Sequence, residues 1–273
     1  MDKPFLTFDE QIEKLKNDYG LVVDNYEFAI EAISSLSYYD LINGYQFIYR
    51  PKDIYKDGTT MEQLVATHIF NKNIQGVLLK YSTYVENSFK TLLSHVIAKN
   101  FTVHQDEYLN IANYERKRDK SKRKKLNNLI HKLIRVCDTC EDTPTKHYRD
   151  SKNHIPPWIL FRNISFSDTT DLFSFLRRDE KEYFFTLLPI LDADILEFQD
   201  KVNIALDALN LVRKFRNKIA HNLNFLTYRD SKLNKKANLL FSNSLVLEKE
   251  LKDTRADVWA MVISIVILLN NKY

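Results

Sequence analysis

From Met61 to Lys99 the chain runs without proline, and its apolar residues return at helical spacing. Leu64, Val77, Leu78, Tyr81, Val85, Phe89, Leu92 and Val96 all belong to this pattern. A helix of that length reaches about 60 Å, with Gly76 as its candidate break. So long a helix buries its apolar side only against other helices, which makes it the spine of a bundle. Composition agrees. Four glycines and six prolines in 273 residues are too few for a dinucleotide-binding sheet, a β-sandwich or a (β/α)8 barrel, whose turns and phosphate loops consume glycine. The expected fold class is all-α, a helical bundle with long core helices.

The rest of the chain reads the same way. Thr7 and Glu10 form a capping box, Ile12 and Leu15 follow on one face, and Gly20 suits the residue after the helix. A second helix is expected from Asp24 or Asn25, carrying Phe28, Ile30, Ile33 and Leu36. Further helices are expected over Leu126–Ile134, Asp168–Arg177, Glu180–Leu188, Asp192 to about Asn222, and Arg255–Leu269. Cys137–Ile155 is polar and weakly periodic, which reads as a loop. Leu239-Leu240-Phe241 and Leu245-Val246-Leu247 suit a small β-hairpin, with a loop as the other reading. No repeat or linker interrupts the pattern, so one domain over residues 1–273 is expected, with a basic insertion around 115–125.

Charge and cysteine content narrow the class of protein. Apolar residues make up 44% and charged residues 28%, near the globular average of about 25% charged, so bulk disorder is excluded. Forty basic and 36 acidic residues give a net charge of only +4; their placement matters more than their sum. Two cysteines cannot make a disulfide framework. The start, Met1-Asp2-Lys3-Pro4, has no apolar core of a signal peptide. The longest apolar run, Val258–Leu269, is 12 residues interrupted by Ser264, where a membrane span needs about 20. A soluble, cytoplasmic protein is expected.

The chemistry concentrates in Arg213-Lys214-Phe215-Arg216-Asn217-Lys218-Ile219-Ala220-His221. Asn217 and His221 are four apart and share a helix face. A long Arg216 side chain spans the remaining offset. Histidine is the usual general acid or base near neutral pH. Arginine holds phosphate with a planar fork of donors and neutralises charge growing on it. An amide beside them orients a phosphate or a ribose hydroxyl. Together they suit RNA cleavage without metal, by attack of a 2′-OH on the adjacent phosphorus. The competing reading is a cationic last turn that complements the helix dipole. The chain carries its own control: Arg149 and His154 have the same spacing, in a polar, proline-flanked stretch without a helical frame.

Arg216-Asn217-Lys218-Ile219-Ala220-His221 resembles the RNxxxH signature of HEPN ribonucleases. The rest resembles the bacterial abortive-infection proteins of the AbiD/AbiF (Abi-2-like) family. The segments that carry this likeness run in order: Lys3–Ile12, Ser37-Tyr38-Tyr39-Asp40-Leu41-Ile42-Asn43-Gly44-Tyr45, Val85-Glu86-Asn87-Ser88-Phe89-Lys90, and Pro156-Pro157-Trp158 with Ile164-Ser165-Phe166-Ser167. Asn43 stands where the family usually has serine, and Asp168 where it often has glycine. The resemblance implies an all-α HEPN fold, a part in phage defence, and an endoribonuclease that needs no cofactor or metal. It also implies a homodimer that brings two motifs together, with Arg216, Asn217 and His221 as the catalytic set. Some relatives are paired with a small non-coding RNA, so such an RNA is an expected partner.

A second feature is Glu115–Lys125, where Arg116, Lys117, Arg118, Lys120, Lys122, Arg123, Lys124 and Lys125 crowd into eleven residues. Such runs contact phosphates; the plain alternative is a solvated charged segment. Tyr108, Tyr114 and Tyr148 are candidates for stacking on bases. Cys137 and Cys140, with His131 and His147 nearby in sequence, match no zinc spacing and read as ordinary thiols. His68 and His95 read as packed or solvated. Glu86, mid-helix among apolar residues, is a candidate partner for an arginine at the active cleft. The rival function is a non-catalytic protein that holds a regulatory RNA on the same surfaces. A third is HEPN chemistry on a nucleotide or another target.

Overall fold

A computed structural model of the chain describes residues 4–188, 191–221, 223, 225–226, 228–230, 236–237, 240 and 257–269. The fold is all-α. Among the described residues there is no sheet, and a lone parallel bridge joins Val22 to Thr60. The chain divides into two compact units, Met1–Leu79 with Lys218–Asn224, and Lys80–Asn217 with Phe225–Tyr273. The expected β-hairpin at 239–247 lies outside the described residues, apart from Leu240.

The first unit opens with α1 (Phe8–Asn17) and α2 (Tyr26–Ser35). The capping box at α1 is formed. Glu10 N–H donates to Thr7 Oγ1 at 3.3 Å, and Thr7 N–H donates to Glu10 Oε2 at 2.7 Å. Gly20 turns the chain away with φ +72°, a value that costs glycine nothing. Asn25 caps α2 by accepting from Phe28 N–H at 3.0 Å. A π-helical turn (Tyr39–Asn43) and the short α3 (Gln46–Tyr49) lead on to α4 (Met61–Phe101), which enters this unit as far as Leu79. Ile12, Leu15, Ala29, Ile33, Leu41, Ile42, Met61 and Leu64 make the core. A polar cluster is buried beside it. Asn71 Nδ2 donates to Tyr45 Oη at 3.0 Å, and that hydroxyl lies 3.2 Å from His68 Nδ1.

α4 runs unbroken through Gly76, so the candidate break is not used. A Cβ at Gly76 would meet nothing within 4 Å; its neighbours neither require nor exclude glycine.

The second unit holds the rest of α4, then α5 (Gln105–Tyr108), a 3-10 turn (Ile111–Asn113) and α6 (Lys120–Thr139). α7 (Thr145–Ser151), α8 (Pro157–Leu160), α9 (Phe166–Ser174), α10 (Arg178–Thr186), α11 (Phe198–Ala220) and α12 (Val258–Leu269) follow. Its core is aromatic. Phe89 on α4 meets Phe173 edge-on at 5.7 Å and Phe184 at 5.8 Å, and Phe173 and Phe184 lie 4.8 Å apart. Each such ring contributes roughly 2–3 kcal/mol by burial. Lys181 brings its ammonium to the end of α9, donating to Ser174 O at 3.0 Å and Leu176 O at 2.6 Å. Burial, reinforced by Lys117, lowers its pKa to about 8.

Two expectations are corrected. Cys137–Ile155 is not all loop: α6 extends to Thr139, and α7 follows. The basic run is mostly exposed and opens a helix. Asp119 caps α6 by accepting from Ser121 N–H at 2.7 Å, so Lys120–Lys125 form its first turns. α11 begins at Phe198 rather than Asp192, because Ala193–Leu196 close a tighter turn, Leu196 N–H donating to Ala193 O at 3.2 Å. In α12, Ser264 is accommodated by donating to Ala260 O at 2.7 Å. No helix among the described residues is long and apolar enough to cross a membrane.

Candidate nuclease site

Val212, Phe215 and Ile219 give α11 a buried stripe. Their burial leaves Arg216 and Asn217 half-buried on another face. Arg216 Nη1 donates to Asn217 Oδ1 at 3.1 Å, and Nη2 donates to Glu86 Oε2 at 2.7 Å. Glu86 is only 8% exposed. Its other oxygen, Oε1, lies 2.8 Å from Lys90 Nζ, one turn further along α4. Lys90 in turn donates to Ile164 O at 2.7 Å. One carboxylate therefore fixes two cations, and a backbone carbonyl fixes the second of them.

Glu86, Lys90 and Arg216 line a cleft of about 520 Å³ within the second unit. Trp158, Phe161 and Arg162 form its other wall. Trp158 is 47% exposed. Three cations against one carboxylate leave the cleft's charged side chains with a net positive charge, which suits a phosphodiester.

His221 is the residue after the last of α11 and is exposed. The boundary between the two units passes between Asn217 and Lys218. Arg216 and Asn217 thus touch each other within the second unit, while His221 is counted with the first.

Arg116, Arg118, Lys120, Lys122, Lys124 and Lys125 are exposed, and Lys117 and Arg123 are half-buried. Lys117 pairs with Glu115, and Lys125 lies 2.6 Å from Asp171. Tyr108 and Tyr114 are not available for stacking. Both are buried, and their hydroxyls donate to Ile155 O at 2.6 Å and Tyr108 O at 2.8 Å. The control pair separates. Arg149 does sit on a helix, α7, but it donates to Cys137 O at 3.3 Å and Cys140 O at 2.9 Å. His154 lies beyond that helix's end, with its ring 5.1 Å from that of His104. Both cysteines are free thiols, and burial pushes the Cys137 thiol up to about 12. Among the described residues no three His, Cys, Asp or Glu side chains gather as a metal site would.

Sequence reasoning reached Glu86 but missed Lys90, Trp158 and Arg162. Lys90 carried a signal, four residues after Glu86 on one helix face. Trp158 and Arg162 carried none that spacing could show.

A family model described as Abi-like protein matches residues 31–227. The chain belongs to that Abi-like family. The matched span includes Glu86, Lys90, Trp158, Arg162, Arg216, Asn217 and His221. Membership points to abortive infection as the protein's setting. No curated protein and no solved structure matches the chain.

Proposed function

We propose that this protein is a phage-defence endoribonuclease of HEPN type, cleaving RNA by transesterification without a metal. The 2′-oxygen forms a bond to the adjacent phosphorus and the bond to the 5′-oxygen breaks. The products are a 2′,3′-cyclic phosphate and a 5′-hydroxyl. Arg216 neutralises charge on the non-bridging oxygens as the phosphorane-like transition state forms. Asn217 orients the phosphate or ribose. His221 moves the proton, taking it from the 2′-OH or returning it to the leaving oxygen. One chain supplies one such motif, so the working form is a homodimer with two motifs at a shared cleft. The basic run Arg116–Lys125 holds RNA, and a small non-coding RNA is a candidate partner on the same surface.

The observation that carries this reading is the 2.7 Å pair between Arg216 and buried Glu86 in a cation-lined cleft. A cationic helix end that only complements a dipole has no need of a buried carboxylate to aim one guanidinium.

The test compares wild type with His221→Ala. Cleavage should fall at least about 100-fold while affinity for the same RNA stays within about twofold. RNA that co-purifies with both proteins and is cut by neither supports the non-catalytic RNA-holding reading instead.

A further inference from the structure

A second concavity, of about 970 Å³, lies in the second unit between the 3-10 turn, α6 from Arg123 to Ile134, and Arg177. Its floor is apolar, and part of that floor is open to solvent: Ile111 is 42% and Ile134 38% exposed. Arg116, Arg123 and Arg177 stand around it. Two of these guanidiniums are braced by backbone. Arg123 Nη1 donates to Arg118 O at 2.9 Å, and Arg177 Nη2 donates to Ala112 O. An arginine with five donors keeps others for a ligand after such a contact. The acid at the rim, Glu115, is paired with Lys117. Asn127, on α6 and exposed, adds an amide to the lining.

From this we infer that the groove is a binding site for single-stranded RNA, which receives an unstacked base. The inference rests on the reading that the basic run binds RNA, and it names the form of RNA and the place. The base lies face-on over Ile111 and Ile134. Its edge meets the Asn127 amide, which offers both donor and acceptor. The flanking phosphates meet the three arginines. A polyanion fits better than a mononucleotide, because Arg116 and Arg123 belong both to the groove and to the basic run that leads away from it. A single strand fits better than a duplex, whose base faces are hidden in the stack.

The experiment uses the full chain and 2′-O-methyl oligonucleotides about twelve nucleotides long, which bind but offer no 2′-OH to cleave. Three probes are compared by fluorescence anisotropy: an intact single strand, the same strand with abasic central positions, and a duplex. The intact strand should bind about tenfold more tightly than the abasic one, the scale expected for one seated base, and more tightly than the duplex. Ile134→Asp and Ile111→Asp, both at exposed positions, should each erase that preference. The abasic comparison needs no variant, so a folding defect cannot mask the answer. Equal affinity for intact and abasic strands overturns the groove site. If neutralising Lys120, Lys122, Lys124 and Lys125 still weakens that equal binding, the run's role stands and only the groove fails. If wild type binds none of the probes, both readings fail together. Binding of an acidic leucine-rich peptide that Ile134→Asp abolishes, without an RNA base preference, assigns the groove to a protein partner and overturns the proposal.

Discussion

Glu86 holds Arg216 at 2.7 Å and Lys90 at 2.8 Å, and Lys90 is pinned in turn to Ile164 O. The guanidinium is therefore aimed before any substrate arrives, and misplacement of such a group is costly. Glu86→Gln keeps the shape but loses the charge. It should lower kcat about 10- to 100-fold with KM little changed or lower, since the cleft becomes more positive. Glu86→Ala should also destabilise, by about 3 kcal/mol, because two cations lose their partner; thermal melting of the two variants separates the effects. His68 supports a second prediction at this scale. Its Nδ1 lies 3.2 Å from the Tyr45 hydroxyl, which accepts from Asn71. Burial first, and Lys72 second, hold its pKa below the ordinary 6.5. The unfolded chain thus binds a proton that the folded chain refuses, so stability falls as pH drops below about 6.5. His68→Gln should flatten that acid limb in denaturant melts between about pH 7 and 5. Unchanged pH dependence would contradict the assignment.

Among the elements, α4 is the clearest case of a helix read from spacing alone. The spacing predicted Met61–Lys99 with Gly76 as a candidate break, and the helix runs Met61–Phe101 without one. Gly76 has open space at its Cβ. Gly76→Ala should therefore stabilise by about 0.8 kcal/mol and raise Tm by about 2 °C; a lower Tm would show that the position needs glycine. α1 and α2 were legible because capping chemistry is local: Thr7 with Glu10, Asn25 before Tyr26. α7 was not legible, since Thr145–Ser151 has no apolar repeat and is held partly by Arg149 reaching back to Cys137 and Cys140. α11 was read too long because apolar Leu191, Ile195 and Leu196 continue its pattern into a turn. Arg216 and Glu86 in the cleft, and Asn217 bonded to that arginine, were legible from residue type and spacing. Trp158 and Arg162 were not, because tertiary packing alone brings them there. Two of the three candidate stacking tyrosines failed for a related reason. An aromatic beside a basic run reads alike whether its ring faces solvent or, as with Tyr108 and Tyr114, the core.

At the scale of the whole molecule, the near balance of 40 basic and 36 acidic residues makes local charge decisive. Eight cations within Glu115–Lys125 supply the densest patch in the sequence. Neutralising Lys120, Lys122, Lys124 and Lys125 should weaken RNA binding and flatten its dependence on salt, by about 0.7 of a unit of slope for each single-strand phosphate no longer neutralised. An unchanged slope would remove the run from the interface. A homodimer is the other expectation at this scale, and sedimentation of the purified chain reads it directly. The central claim, that Arg216 and His221 make a metal-free ribonuclease, is tested most directly by the chemistry of its products. Wild type and Arg216→Ala are incubated with total cellular RNA in excess EDTA, and the new ends are mapped. Cleavage by wild type alone, leaving 2′,3′-cyclic phosphate and 5′-hydroxyl ends, is the predicted result. Cleavage by both proteins, loss of cleavage in EDTA, or 5′-phosphate ends would contradict it.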